Sequence, residues 1–180
     1  STESLPLFPL KSVLVPGAWL DLRIFETRYL DLVRDCSRHG SGFGVVRIHD
    51  GAEAGAPADI DDFGCEARIV DFNTLPDGLL GIRVEGSRRF RVHASHIATN
   101  GLRVAEVEWS APPPRLPVPS EYAVLVTILE RLAEHGDSQL KAADKSRFDD
   151  ADWVSWRVIE RLPLDEAEKQ QALTQEDPRQ

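Results

Sequence analysis

Methionine is absent from this chain of 180 residues, and cysteine occurs only twice. Without methionine there is no deformable thioether surface of the kind promiscuous peptide binders often use. Cys36 and Cys65 are too few for a structural zinc site, and neither C-x-x-C nor H-E-x-x-H occurs. In a reducing compartment the two thiols read as small buried apolar residues rather than as a disulfide. Long hydrophobic runs are missing too: stretches such as Ala123 to Val126 are far too short to span a bilayer. The start, Ser1-Thr2-Glu3-Ser4, lacks the basic flank and apolar segment of a signal peptide, so a cytoplasmic protein with no membrane partner is expected.

Positive charge is also in short supply. The formal net charge is −9, and residues 1–110 carry 12 basic and 16 acidic groups while residues 111–180 carry 9 and 14. Such a field repels phosphate backbones unless one face is locally basic, which disfavours nucleic acid as a partner. No G-x-x-x-x-G-K-[ST] is present, so the backbone cradle and lysine of an NTPase are missing. No G-x-S-x-G elbow accompanies the five dispersed histidines, so nothing signals a nucleophile. No cofactor and no metal is expected.

The opening residues carry the most information. Pro6 and Pro9 within Leu5 to Leu10 forbid helix and permit an edge or entry strand, because proline cannot donate a backbone hydrogen bond. Pro16-Gly17 then reads as a turn, and Leu20, Leu22 and Ile24 alternate as in a strand with one buried face. Phe25-Glu26-Thr27 leads into an amphipathic helix bearing Tyr29, Leu30, Val33 and Cys36, which Gly40 ends. Short β-rich runs follow: 43–48, 66–72, 79–84, 89–94 and 102–109. Pro76-Asp77-Gly78 and Asn100-Gly101 supply reversals, and residues 50–62 have the composition of a surface loop.

Ala111 to Pro119, rich in proline, reads as a stiff extended connector. Beyond it Ser120 is placed to cap a helix bearing Val124, Leu125, Ile128, Leu129 and Leu132. A second helix carries Trp153, Trp156, Val158, Ile159 and Leu162, and a third begins with Asp165-Glu166 in its first turn. The expected class is α+β: a β-rich domain over residues 1–110 with one early helix, a connector over 111–119, and a small helical bundle over 120–180.

The order Leu5-Pro6-Leu7-Phe8-Pro9-Leu10, Val15-Pro16-Gly17, Ile24-Phe25-Glu26, Arg28-Tyr29, Phe43-Gly44-Val45-Val46 and Gly64-Cys65-Glu66-Ala67-Arg68-Ile69 resembles the LON domain. That domain is the substrate-binding N-terminal part of ATP-dependent Lon proteases, and it also occurs as a free-standing bacterial protein and in cereblon-type adaptors. Leu75-Pro76-Asp77-Gly78, Val84-Glu85-Gly86, Arg89-Phe90-Arg91-Val92, Leu162-Pro163-Leu164 and the stretch from Glu168 to Leu173 continue the resemblance. It implies a β-rich pseudobarrel similar to that of PUA domains. It also implies a non-catalytic module that recognises exposed or unfolded polypeptide, as an adaptor or holding factor in proteostasis, without the ATPase and protease parts.

Several residues have both a structural and a functional reading. Glu26, Thr27 and Arg28 open the first helix, where the acid suits the helix dipole and the arginine can simply pair with it. The resemblance implies instead that this turn contacts client polypeptide. Arg89, Arg91 and His93 share one strand face opposite Phe90 and Val92; they are either a solvated face paired with Glu106 and Glu108 or an anion or RNA surface, the alternative function. Trp153 and Trp156 are three apart on a helix and read as core, with a peptide groove as the other reading.

Overall fold

The computed structural model describes residues 1–50 and 59–175 and divides the chain into two compact units, Ser1–Ser110 and Ala111–Gln180. In the first unit, strands β1 (Glu3–Leu10), β2 (Trp19–Ile24), β3 (Phe43–Asp50), β4 (Asp59–Thr74), β5 (Leu80–Ile97) and β6 (Arg103–Trp109) form one mixed sheet, joined by the helix α1 (Thr27–His39). The order is β2-β5-β4-β3-β1-β6, and β6 pairs again with β5. The sheet therefore closes on itself as a five-strand barrel, with β2 added to the first half of β5. Closure joins the five ring strands into a continuous ladder, leaving β2 as the edge strand. Among the described strands only β1 and β3 run parallel, and the other pairings are antiparallel.

β1 explains why its sequence is apolar almost throughout. Leu5 and Leu7 point into one cluster with Val46, Phe90, Ala105 and Val107, while Phe8 and Leu10 point into another beneath α1. Successive side chains of a strand face opposite ways, so a strand buried on both faces cannot alternate with polar residues. Phe8 stacks on Tyr29 at 4.0 Å between ring centres and lies 5.9 Å from Phe43. α1 presents Tyr29, Leu32, Val33 and Cys36 to this cluster and ends at Gly40 in the left-handed conformation. Leu32 takes the inward position expected of Leu30, which is exposed.

Two boundaries differ from the sequence reading. Residues 80–84 and 89–94 belong to a single strand, β5, which runs on through Gly86, a point of close approach. Its amide donates to the Ala18 carbonyl at 2.8 Å and its carbonyl accepts from Gly17 at 2.7 Å, so the β1–β2 loop lies directly on the strand. A Cβ there would stand 2.2 Å from the Val15 carbonyl oxygen. The expected loop over residues 50–62 lies outside the described residues over 51–58, and from Asp59 the chain is already in β4. The Pro76-Asp77-Gly78 reversal does join β4 and β5 antiparallel, with Gly78 at φ 84°.

The second unit contains α2 (Ala123–Glu134), α3 (Ser138–Ala142), α4 (Ala151–Arg161) and α5 (Glu166–Thr174). Ser120 does not cap α2; it opens a 3-10 turn, Ser120–Tyr122, that leads into the helix. Asp165 caps α5 through a capping box with Glu168. Trp153 and Trp156 are core: Trp153 packs on Phe148 at 5.1 Å, and both are buried with Leu129 and Leu140 in the same unit. α3 and the adjoining 3-10 turn Lys145–Asp149 are single turns too short to leave a periodic pattern in sequence.

Candidate functional site

The turn that opens α1 is held together by its own residues. Glu26 occupies the N-cap position but its side chain does not cap; instead its Oε2 accepts from Arg28 Nε at 2.8 Å. Arg28 Nη1 donates to the Gly101 carbonyl at 3.0 Å, and the guanidinium lies 4.7 Å from the centre of the Tyr29 ring. The charged donors of Arg28 are thus engaged within the fold. Thr27 is exposed beside Phe25, which is 61% exposed, and Leu30, at 37%. What this turn offers to solvent is chiefly apolar.

The basic strand face is met by acids. Arg91 and His93 are exposed and Arg89 is half-buried, with Phe90 fully buried behind them. His93 Nε2 lies 2.8 Å from Glu108 Oε2, and that bond holds the Glu108 carboxyl below its usual range. Arg91 is the cross-strand partner of the same Glu108, and its guanidinium reaches toward Phe63. Arg88 forms a two-pronged pair with buried Glu66, both contacts at 3.1 Å, while lying 3.7 Å from the centre of the Trp109 ring. A shallow dip across β2, β5 and β4 is likewise neutralised, since Arg83 holds Asp21 at 2.8 and 3.2 Å and Arg23 pairs with Asp77.

A larger concavity lies within the helical unit. A groove of about 540 Å³ runs between the segment Leu116 to Pro119, Tyr122 and Leu125 at the entry to α2, and a row formed by Val154 and Val158 of α4 with Leu162 just past its end. The Leu116 carbonyl accepts from the Ala151 amide at 2.9 Å, and Arg115 donates to the Ser146 carbonyl at 3.0 Å, which fixes one wall. The only polar lining side chains are those of Tyr122 and Ser155, and the Ser155 hydroxyl donates to the Ala151 carbonyl at 2.7 Å. Leu116, Tyr122 and Leu162 at the rim are exposed. Few well-placed polar groups in an apolar concavity suit side chains of another polypeptide or a small apolar group. The sequence did carry a signal for it: Val154, Val158 and Leu162 recur every four residues along α4 and its C-cap, a second face beside the one occupied by Trp153 and Trp156.

Among the described residues, no group of three or more histidines, cysteines or carboxylates could hold a metal ion. Cys36 and Cys65 are both buried thiols outside any disulfide, and burial pushes the Cys36 thiol up. No described helix is long and apolar enough to cross a membrane.

The closed barrel with its early helix, followed by helices, matches solved structures across nearly the whole chain. A crystal structure of a Lon N-terminal domain protein from Xanthomonas campestris is 45% identical with a TM-score of 0.78, covering 98% of this chain and 92% of that one. The family model of the ATP-dependent protease La (LON) substrate-binding domain matches residues 4–180. The chain belongs to the LON substrate-binding domain family. A Lon protease of Flavobacterium johnsoniae is 32% identical over 91 residues, and cereblon of Danio rerio is 28% identical over 112. This LON-domain chain spans only 11% of that Lon protease and 26% of that cereblon. The N-terminal domain of a Mycobacterium avium complex Lon protease, 15% identical with a TM-score of 0.65, shares the fold. The family supports a substrate-recognition module, since the matched domain is the substrate-binding one rather than a protease domain.

Proposed function

We propose that this protein is a non-catalytic cytoplasmic module that binds exposed apolar segments of unfolded polypeptides, with the helical groove as its main contact surface. The groove carries this reading, because it joins a family whose named task is substrate binding for a protease to an apolar concavity of matching chemistry. Burying one large apolar side chain from water contributes about 1.5 to 3 kcal/mol, so two or three client side chains suffice for measurable affinity.

The turn Glu26-Thr27-Arg28 is the second proposed contact, in a revised form. Phe25 and Leu30 supply apolar surface, while Glu26 and Arg28 fix the turn that presents them. The RNA reading has less support, since Glu108 stands against both Arg91 and His93.

Titration with a labelled, permanently unfolded polypeptide tests the proposal. The groove-rim variant Tyr122→Asp with Leu162→Asp should lose at least about tenfold in affinity with its melting temperature retained, since both side chains are exposed. Glu26→Ala with Arg28→Ala should weaken binding less. Equal affinity in the wild type and the groove variant would remove the groove from the proposal, and absence of binding by every form would overturn the function itself.

A further inference from the structure

Helix α2 is apolar on two sides. Leu129, buried, and Val126 and Ala133, partly buried, face the core of the helical unit, as an amphipathic helix should. The outward face should then be polar. Instead Val124 is 64% exposed, Ile128 49% and Leu132 38%, at i, i+4 and i+8 along one stripe. Glu121 lies just before the stripe, in the 3-10 turn, and Arg131 and His135 lie at its far end. Among the described residues none of these three has an ion-pair or side-chain hydrogen-bond partner.

We propose that this stripe pairs with the same stripe of a second copy, as two antiparallel helices related by a two-fold axis through Ile128. The choice of occupant rests on symmetry. Val124 and Leu132 lie four residues either side of Ile128, so each meets the other across the axis. Glu121 and His135 lie seven residues either side, about 10 Å along the helix, so each acid faces the second copy's imidazole, with Arg131 one turn nearer the axis. A parallel pairing would set acid against acid and base against base. The acid-first, base-last order also suits the dipole of α2 itself, so the charges alone would not require a partner. The apolar stripe between them does.

The contact is small. α2 has 12 residues, about 18 Å, so the helix pair alone falls short of the roughly 800 Å² per partner of a standard stable interface. Association is therefore weak and concentration-dependent. This inference does not depend on the polypeptide-binding proposal, because the stripe and the groove are separate surfaces of the unit.

Sedimentation velocity on the full chain over a dilution series, together with disulfide trapping, tests it. Reversible dimerisation is expected, and Ile128→Arg, which places like charges on the axis, should raise the dissociation constant at least about tenfold with unchanged melting. Oxidation should cross-link Ile128→Cys, because the two native cysteines are buried, and should leave Glu130→Cys, on the far side of α2, monomeric. A chain that stays monomeric throughout overturns the proposal. So does a dimer indifferent to Ile128→Arg, or equal cross-linking of the two cysteine variants.

Discussion

Arg28 donates to the carbonyl of Gly101, 73 residues further along, at 3.0 Å, and so ties the first turn of α1 to the reversal between β5 and β6. A charged donor on a half-buried carbonyl contributes about 1.5 to 3 kcal/mol at most, and partial exposure lowers that. Arg28→Ala should therefore cost about 1 to 2 kcal/mol in urea denaturation. Arg28→Lys should recover little of it, because an ammonium cannot serve Glu26 and Gly101 with one planar fork. Full recovery by lysine would show that only the charge matters.

Phe8 sits between Tyr29 and Phe43 in the cluster beneath α1. Its truncation to alanine should cost about 3 to 5 kcal/mol, as large aromatic deletions in cores do. Leu30→Ala, on the same helix as Tyr29 but exposed, should change stability by no more than about 0.5 kcal/mol. Calorimetric melting of the two variants side by side checks the assignment of inward and outward faces.

Gly86→Ala tests whether β5 passes beneath the β1–β2 loop as described. The added methyl meets a backbone carbonyl, which cannot rotate away as a side chain could, so a loss of at least about 2 kcal/mol is expected. Gly40→Ala meets no atom within 4 Å and pays only for its left-handed backbone, with φ 63°. It should cost about 1 kcal/mol. Equal losses in chemical denaturation would contradict the close approach.

Much of this architecture could be read from residues 1–50 and the prolines, and the failures have physical causes. Leu5 to Leu10, the Pro16-Gly17 turn, the helix ended by Gly40 and the hairpin at Gly78 are local signals, each fixed by a residue's own backbone constraints. Residues 79–84 and 89–94 read as two runs because no local pattern joins them, while the reason for Gly86 lies 71 residues earlier, at Val15. Leu30 and Leu32 exchange faces within the tolerance of a helical period. The groove as a whole has no local signature, because its walls come from three separated segments. The turn at Glu26 was legible as a helix start, but the engagement of Arg28 with Gly101 is a long-range contact that no spacing announces.

Acid should act on the helical unit through Asp137. Burial works against its charge, but Arg161 Nη2 at 2.8 Å and the Leu140 amide at 3.1 Å outweigh it and hold the carboxyl below the usual aspartate range. A carboxylate with a depressed folded pKa lends stability that is present above its unfolded value, about pH 3.9, and is lost as pH falls through the folded one. Burial pushes Glu160 up, so on acidification it protonates before Asp137 does, and the cost of its buried charge, present at higher pH, is relieved first. Thermal melting against pH, followed by Trp153 and Trp156 with Trp19 and Trp109 replaced by Phe, should therefore fall below about pH 4. Asp137→Asn keeps a capping side chain and should flatten that fall. An unchanged acid limb would assign it to other carboxylates.

β1 lies between β3 and β6, with Glu3 opposite Val107. During synthesis, then, the first strand leaves the ribosome with one flank unsatisfied until about a hundred further residues have followed it. Vectorial folding can assemble β1 with α1 and β3, but the ring cannot shut before β6 emerges. Until then Leu5 and Leu7 lack their β6 neighbours Ala105 and Val107. A pause in translation before residue 110 would prolong that state.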